Sequence, residues 1–162
     1  MNTAKIKAYA PAARRDFIAA VTQRLNLLGI RADKQGKLQV EPATVTGSVL
    51  QIGGQTFDAK LARARERLVA RAQNVGMTAL VEQMAYTWFN RLCAIRFMEL
   101  QGYLEHGFRV LSHPEQAKGF QVLDHVPEVA DALGLDAEHL VGLKLAGNQD
   151  EALFRAILLG QC

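Results

Sequence analysis

The chain has 162 residues, of which 49% are hydrophobic and 22% charged, and its formal net charge is +3. This composition excludes an intrinsically disordered chain, and a chain of this length buries roughly 70% of its unfolded surface without a disulfide or a metal. It has no apolar run of about 18 residues and no apolar leader, and its two cysteines are far apart, so we expect a cytoplasmic protein.

Charge is divided unevenly along the sequence. Residues 1–75 contain 13 Lys or Arg against 5 Asp or Glu, a balance of +8, and residues 76–162 contain 6 against 11, a balance of −5. Either the first half faces a polyanion, or one domain has a basic and an acidic surface. The charge pattern by itself leaves both readings open.

Apolar periodicity predicts a first helix within residues 1–29, running from Thr3 or Pro11 to Leu28 and ended by Gly29. Its expected buried stripe consists of Phe17, Ala20, Val21, Arg24, Leu25 and Leu28. Residues 30–57 are rich in β-branched residues and glycine, which predicts a small β element.

The strongest strand signal lies at about residues 38–57, where we expect a small antiparallel hairpin or sheet. The pair Gly53-Gly54 is typical of a two-residue hairpin turn. In that register Ile52 faces Gln55, and Leu50 faces Phe57.

Residues 58–101 are predicted to form two long helices. The first is Ala59–Val75, with Asp58 as its N-cap, and the second is Ala79–Gln101, capped by Thr78. Residues 102–162 predict short helices at about Val126–Leu133, Ala137–Leu145 and Asp150–Leu159. The fold class is therefore mainly α (α+β): a helical bundle around a buried central helix, forming a single module over residues 1–162.

The central helix is predicted to be buried around nearly its whole circumference. Its apolar residues include Leu80, Val81, Met84, Trp88, Phe89, Leu92, Ile95, Phe97 and Met98. Because Arg91, Arg96 and Glu99 lie in the same helix, and buried charges are seldom unpaired, we expect an ion pair inside the module or a contact with a neighbouring domain.

No catalytic, cofactor-binding or metal-binding residue is predicted. The histidines are too widely spaced for a zinc site: His106, His113, His125 and His139. There is no phosphate-binding loop, dinucleotide fingerprint or nucleophile elbow. Asp58 with Lys60 is the nearest approach to a nuclease pair, and it lacks a second carboxylate close by.

One helix carries a regular row of cations. Lys60, Arg63, Arg67 and Arg71 recur at spacings of 3, 4 and 4, which places them on one face, called here the basic stripe. Such a stripe suits the phosphates of DNA, because affinity then comes from counterion release. No aromatic residue is interleaved, so base stacking is not expected. The alternative is a solvated face, or one paired with the acidic half.

The string Tyr86–Leu100, followed by Gly102-Tyr103-Leu104, resembles the N-terminal region of the PglX family. This family comprises adenine-specific DNA methyltransferases of bacteriophage-exclusion (BREX) defence systems. The segments Lys5–Pro11 and Lys144–Leu153 share the resemblance, which extends over the whole chain. The family's S-adenosylmethionine fold and Asn-Pro-Pro-Tyr motif lie downstream of such a segment, and no two prolines are adjacent here, so no catalytic or cofactor residue is carried over.

The resemblance implies an N-terminal, non-catalytic module of an adenine-N6 DNA methyltransferase that is inactive alone. Such a module would scaffold or contact the downstream methyltransferase domains or other BREX proteins, and S-adenosylmethionine would belong to the parent protein. The alternative is a DNA-backbone-binding module that uses the basic stripe. No membrane partner is expected.

Overall fold

The computed structural model describes the backbone of residues 3–162 and the side chains from residue 9 onward. Packing groups the chain into two compact units, unit 1 (Met1–Phe89) and unit 2 (Asn90–Cys162). The elements are α1 (Thr3–Leu27), β1 (Ile30–Ala32), β2 (Leu38–Val40), β3 (Ala43–Thr46), β4 (Val49–Ile52), β5 (Gln55–Asp58), α2 (Leu61–Val75), α3 (Met77–Gln101), a short 3-10 helix (Gln121–Leu123), α4 (Val126–Ala132), α5 (Ala137–Leu145) and α6 (Asp150–Gly160). The predicted class, mainly α with a small antiparallel β part, is confirmed.

The β part of unit 1 consists of two antiparallel sheets. β1 pairs with β2, and β3, β4 and β5 form a three-stranded sheet in sequence order. Gly53 and Gly54 have φ values of 52° and 82°, as a tight hairpin turn requires. The predicted register is confirmed, with Leu50 opposite Phe57 and Ile52 opposite Gln55.

One hydrophobic core holds unit 1 together. It combines the end of α1, strands β1 and β4, and residues of α2 and α3: Leu25, Leu28, Ile30, Leu50, Ile52, Ala72, Met77, Leu80 and Val81. Within the predicted stripe of α1, Ala20 and Arg24 are exposed, so their expected burial is wrong. Leu25, in the last turns of α1, and Leu28, just after the helix, are buried in this core, and Ala13 nearer the middle of α1 is also buried.

Gly29 links α1 to β1 at a crowded point. Its φ is 68°, a conformation that costs other residues about 1–2 kcal/mol. A Cβ there would lie 2.7 Å from Cγ2 of Ile52 and 2.8 Å from Cβ of Glu41. Both the backbone conformation and the available space therefore require glycine.

Two predicted helix starts are corrected. α2 begins at Leu61, and Asp58 is not its N-cap: Oδ1 of Asp58 accepts a hydrogen bond from the Lys60 amide at 2.8 Å in the turn before the helix. α3 begins at Met77, because the Leu80 amide already donates to the Gly76 carbonyl at 3.0 Å, and Thr78 lies inside the first turn.

Unit 2 has its own core, to which α3, the segment after it and the three short helices all contribute. It contains Ile95, Leu104, Val110, Val122, Val126, Val129, Ala130, Leu140, Leu153 and Ile157. Asp136 caps the start of α5, since its Oδ1 accepts a hydrogen bond from the His139 amide at 2.9 Å.

The expectation that α3 is buried around nearly its whole circumference is wrong. Tyr86, Phe97 and Leu100 are 69%, 58% and 53% exposed. The physical reason is that different turns of α3 supply different cores. Met77, Leu80 and Val81 belong to the core of unit 1, and Ile95 to that of unit 2. Among the residues that the structure describes, no helix is long and apolar enough to cross a bilayer.

Candidate functional site

The basic stripe lies on the outer face of α2 and its preceding turn. Lys60, Arg63, Arg67 and Arg71 are all exposed. At a rise of about 1.5 Å per residue, successive cations are about 4.5–6 Å apart along the helix axis. Arg63 and Arg67 form no ion pair within the described part of the chain. The stripe therefore presents positive charge that unit 1 does not neutralise by direct pairing.

The division into units also separates the charge. Unit 1 contains 13 Lys or Arg against 6 Asp or Glu, a balance of +7, and unit 2 contains 6 against 10, a balance of −4. The stripe thus belongs to a strongly basic unit. A field of this sign raises the local concentration of polyanions and speeds their association.

Arg65 differs from the cations around it because it is buried. Only 7% of its surface is exposed, and its Nε donates to the Leu28 carbonyl at 2.8 Å while Nη2 donates to the Glu41 carbonyl. It therefore ties α2 to the end of α1 and to the link between β2 and β3. The sequence analysis assigned Arg65 no role, although its spacing from Leu61 and Leu68 puts it on the apolar face of α2.

The stripe ends at a small cleft between α2 and α3. The cleft has a volume of about 170 Å³ and is lined by Arg71, Gln83, Met84, Thr87 and Trp88. Nη2 of Arg71 donates to Oε1 of Gln83 at 2.8 Å, and the Thr87 hydroxyl donates to the Gln83 carbonyl at 2.8 Å. The fold thus brings an aromatic side chain to the end of the stripe. The sequence of α2 alone did not predict this aromatic neighbour, because Trp88 belongs to α3.

Glu99 forms a buried polar cluster in unit 2. Its side chain is fully buried and pairs with Nη1 of Arg96, whose side chain is 45% exposed. It also accepts hydrogen bonds from the Leu111 amide at 2.8 Å and the Ser112 hydroxyl at 3.1 Å. Arg96 in turn donates to the Ser112 oxygen at 2.7 Å. These contacts fasten the segment around Leu111 to α3, which is a structural role. Arg91 lies exposed on the same helix.

A group of apolar side chains is exposed near the end of α3. Phe97, Leu100 and Tyr103 are 58%, 53% and 66% exposed, and the rings of Phe97 and Tyr103 meet edge to face with centroids 6.1 Å apart. We call these three residues the α3 apolar patch. Exposed groups of large apolar side chains often mark interaction sites.

The histidines of the described residues are not gathered into a metal-binding cluster. No group of three or more His, Cys, Asp or Glu within the described part of the chain is placed to hold a metal ion. Nε2 of His106 instead contacts Oε1 of Gln161 at 3.0 Å, and Nε2 of His113 contacts Asp124 at 3.1 Å. Among the described residues of unit 1, every strand pair is antiparallel.

No protein-family model matches the chain. It is 58% identical over 163 residues, covering 100% of its length, to the adenine-specific methyltransferase BrxX of Escherichia coli O9:H4 (strain HS). The chain resembles a segment of an adenine-specific methyltransferase. It is also 37% identical over 146 residues, or 83% of its length, to the adenine-specific methyltransferase PglX of Lacticaseibacillus casei (strain Zhang). The resemblance expected from the sequence is confirmed. The chain spans only 14% and 12% of the lengths of these methyltransferases.

Proposed function

We propose that this chain is an N-terminal, non-catalytic module of a bacterial adenine-N6 DNA methyltransferase of the BREX type, working in the cytoplasm. In this role it scaffolds the larger protein by binding its downstream methyltransferase domains, or partner proteins of the same defence system. Methyl transfer and S-adenosylmethionine binding belong to those other domains.

The observation that carries this proposal is the α3 apolar patch. Phe97, Leu100 and Tyr103 are large side chains whose exposure is unfavourable in water. Covering them against another domain removes apolar area from water and anchors the module. The segment Tyr86–Leu104, which carries the family resemblance, includes this patch.

A binding experiment in trans tests the scaffold. The E. coli relative is produced without the segment that this chain matches, and the 162-residue chain is added as a separate tagged protein. We expect the two to co-purify. The double variant Phe97→Glu with Leu100→Glu should abolish association, because two charges would have to be buried without partners.

The matched control for this experiment is Val45→Glu. Val45 is 52% exposed on β3, so the control introduces one glutamate, half the charge of the double variant, on a similarly exposed apolar residue of unit 1. Association that survives in the Phe97 and Leu100 double variant, or that is lost equally with Val45→Glu, would contradict docking through the α3 apolar patch.

A second candidate function is contact with the DNA backbone through the basic stripe. It is supported by the exposure of Lys60, Arg63, Arg67 and Arg71, by the absence of ion pairs to Arg63 and Arg67 within the described residues, and by the +7 balance of unit 1. The two candidates use different surfaces, so one protein can have both.

A salt titration of duplex binding tests this second candidate. With four phosphate contacts, the logarithm of the binding constant should fall with the logarithm of salt concentration with a slope of about −3.6. The double variant Arg63→Ala with Arg67→Ala should reduce that slope to about −1.8.

The control double variant is Arg15→Ala with Arg24→Ala. Both arginines are exposed on α1, so it removes the same charge away from the stripe. Its slope should stay close to that of the parent chain. An equal loss of slope in both double variants would show that the overall positive charge of unit 1, and not the basic stripe, attracts the duplex. If micromolar protein does not bind duplex at low salt, the DNA-contact function is contradicted and only the scaffold function remains.

A further inference from the structure

We propose that the cleft lined by Arg71, Gln83, Thr87 and Trp88 holds an unpaired nucleotide of a DNA strand whose phosphates follow the basic stripe. This inference rests on the second candidate function, contact of the stripe with DNA, and names the form of DNA that this surface selects. The proposed site combines Arg71 of α2 with Gln83, Thr87 and Trp88 of α3, which the sequence alone did not connect.

The first argument is the position of the cleft relative to the stripe. Lys60 and Arg71 are separated by about 16 Å along the helix axis, which matches the rise of several successive phosphates at 3.4 Å per nucleotide of one strand. Arg71 belongs both to the stripe and to the cleft wall. A strand tracked by the stripe therefore arrives at the cleft without changing direction.

The second argument is the orientation of Arg71. Its Nη2 donates to Oε1 of Gln83 at 2.8 Å, which fixes the guanidinium at the mouth of the cleft. A guanidinium has five N–H donors in a planar fork, so one hydrogen bond to an amide leaves donors for a phosphate. The partner is a neutral amide, so the positive charge of Arg71 is retained.

The third argument is the chemistry inside the cleft. Trp88 supplies an indole, on which a base can stack irrespective of its sequence. The Gln83 amide accepts from Arg71 through its oxygen, and its NH₂ group is suited to donate to acceptors on a base edge. A phosphate-binding cation, a stacking surface and an amide donor thus meet in one place.

The size of the cleft favours an unpaired strand over a duplex. At about 170 Å³ it accommodates one flat group and not the width of a double helix. In a duplex, moreover, the faces of the bases are already stacked on their neighbours. Only a single strand, or a duplex with a base displaced, offers a free face to Trp88.

The chain contains its own reporter for this site, because Trp88 is its one tryptophan. The 162-residue chain is titrated at fixed low salt with a short single-stranded DNA oligonucleotide, and separately with the blunt duplex of the same sequence. We expect saturable quenching of the tryptophan emission by the single strand and little change with the duplex. The single strand should bind on the order of tenfold more tightly per site.

Two variants connect the signal to the cleft, with binding followed by the anisotropy of an end-labelled oligonucleotide. Trp88→Leu should remove the preference for the single strand. Because Trp88 is partly buried, Gln83→Ala serves as a second variant: Gln83 is exposed, and the loss of its hydrogen bonding should weaken single-strand binding about fivefold. The matched control is Gln23→Ala, an exposed glutamine of α1, which should bind both forms like the parent chain.

The outcomes separate this inference from the function on which it rests. Duplex binding with a steep salt slope, but with no quenching or preference for the single strand, would contradict nucleotide binding in the cleft and still support DNA contact by the basic stripe. Equal weakening by Gln83→Ala and Gln23→Ala would also contradict nucleotide binding in the cleft. No binding of either DNA form at low salt would contradict both proposals.

Discussion

Arg65 shows how one side chain can organise unit 1 without acting on any ligand. It is 7% exposed, and its guanidinium donates to the carbonyls of Leu28 and Glu41, which lie 37 and 24 residues away. The carboxylate of Glu41 is paired with Arg31 instead. The charge of Arg65 is thus accommodated by peptide dipoles and not by a carboxylate.

Replacing Arg65 tests this role. Arg65→Ala should lower the free energy of unfolding by about 2–4 kcal/mol, because two carbonyls lose charge-assisted hydrogen bonds in a buried setting. Urea unfolding measures the change. Arg67→Ala, two residues further along the same helix and exposed, is the control and should stay within about 0.5 kcal/mol of the parent. Similar losses for the two variants would contradict a structural role specific to Arg65.

Glu99 has the corresponding role in unit 2. Glu99→Gln keeps the shape of the side chain but removes the charge that Arg96 neutralises. The NH₂ group that replaces one carboxylate oxygen cannot accept a hydrogen bond, so the bond from either the Leu111 amide or the Ser112 hydroxyl is lost. We expect a loss of about 1–3 kcal/mol in thermal or urea unfolding. Glu105→Gln is the control, since Glu105 is exposed. A stable Glu99→Gln protein would show that the cluster contributes little.

At the scale of elements, the junction of α1 and β1 depends on Gly29. Gly29→Ala should cost about 2–5 kcal/mol, the sum of backbone strain at positive φ and overpacking against Ile52 and Glu41. Gly36→Ala is a matched comparison: its φ is 81°, but nothing lies within 4 Å of the added Cβ, so only about 1–2 kcal/mol is expected. Equal urea unfolding midpoints for Gly29→Ala and Gly36→Ala would contradict the expected crowding at Gly29.

Elements built from near neighbours in the chain were predictable. The Gly53-Gly54 hairpin, its register and the ends of α2 and α3 follow from turn chemistry and apolar periodicity, which are local properties. The start of α3 was predicted two residues late, because no side-chain cap marks it. A backbone hydrogen bond to the Gly76 carbonyl begins that helix, and residue types do not encode such a bond.

The parts of the candidate sites that were missed depend on contacts between distant residues. Trp88 and Arg71 line one cleft although they lie on different helices, so the periodicity of either helix alone does not predict that they are neighbours. The apolar composition of α3 predicts burial around nearly its whole circumference, yet Phe97 and Leu100 are exposed because successive turns of the helix pack into different cores. Composition reports how much apolar surface exists, but not which side of a helix is covered.

At the scale of the whole molecule, the change of charge sign coincides with the division into units. Unit 1 has a balance of +7 and unit 2 of −4. If the stripe contacts DNA, duplex added at low salt should slow hydrogen exchange in peptides from Leu61–Val75 and leave peptides of Asn90–Cys162 unchanged. Hydrogen exchange followed by mass spectrometry measures both regions in one experiment. Protection confined to unit 2 would contradict the assignment of DNA to the stripe.

The hydrogen bonds of Arg65 also have a consequence for how this sequence can vary. Its acceptors are main-chain carbonyls, which every amino acid supplies, so these two bonds place no demand on the side chains at positions 28 and 41. Substitution at either position leaves the acceptors in place, whereas substitution at position 65 removes both bonds at once. A library randomised at positions 28, 41 and 65 and selected for folded protein should therefore keep arginine at position 65 more strictly than glutamate at position 41.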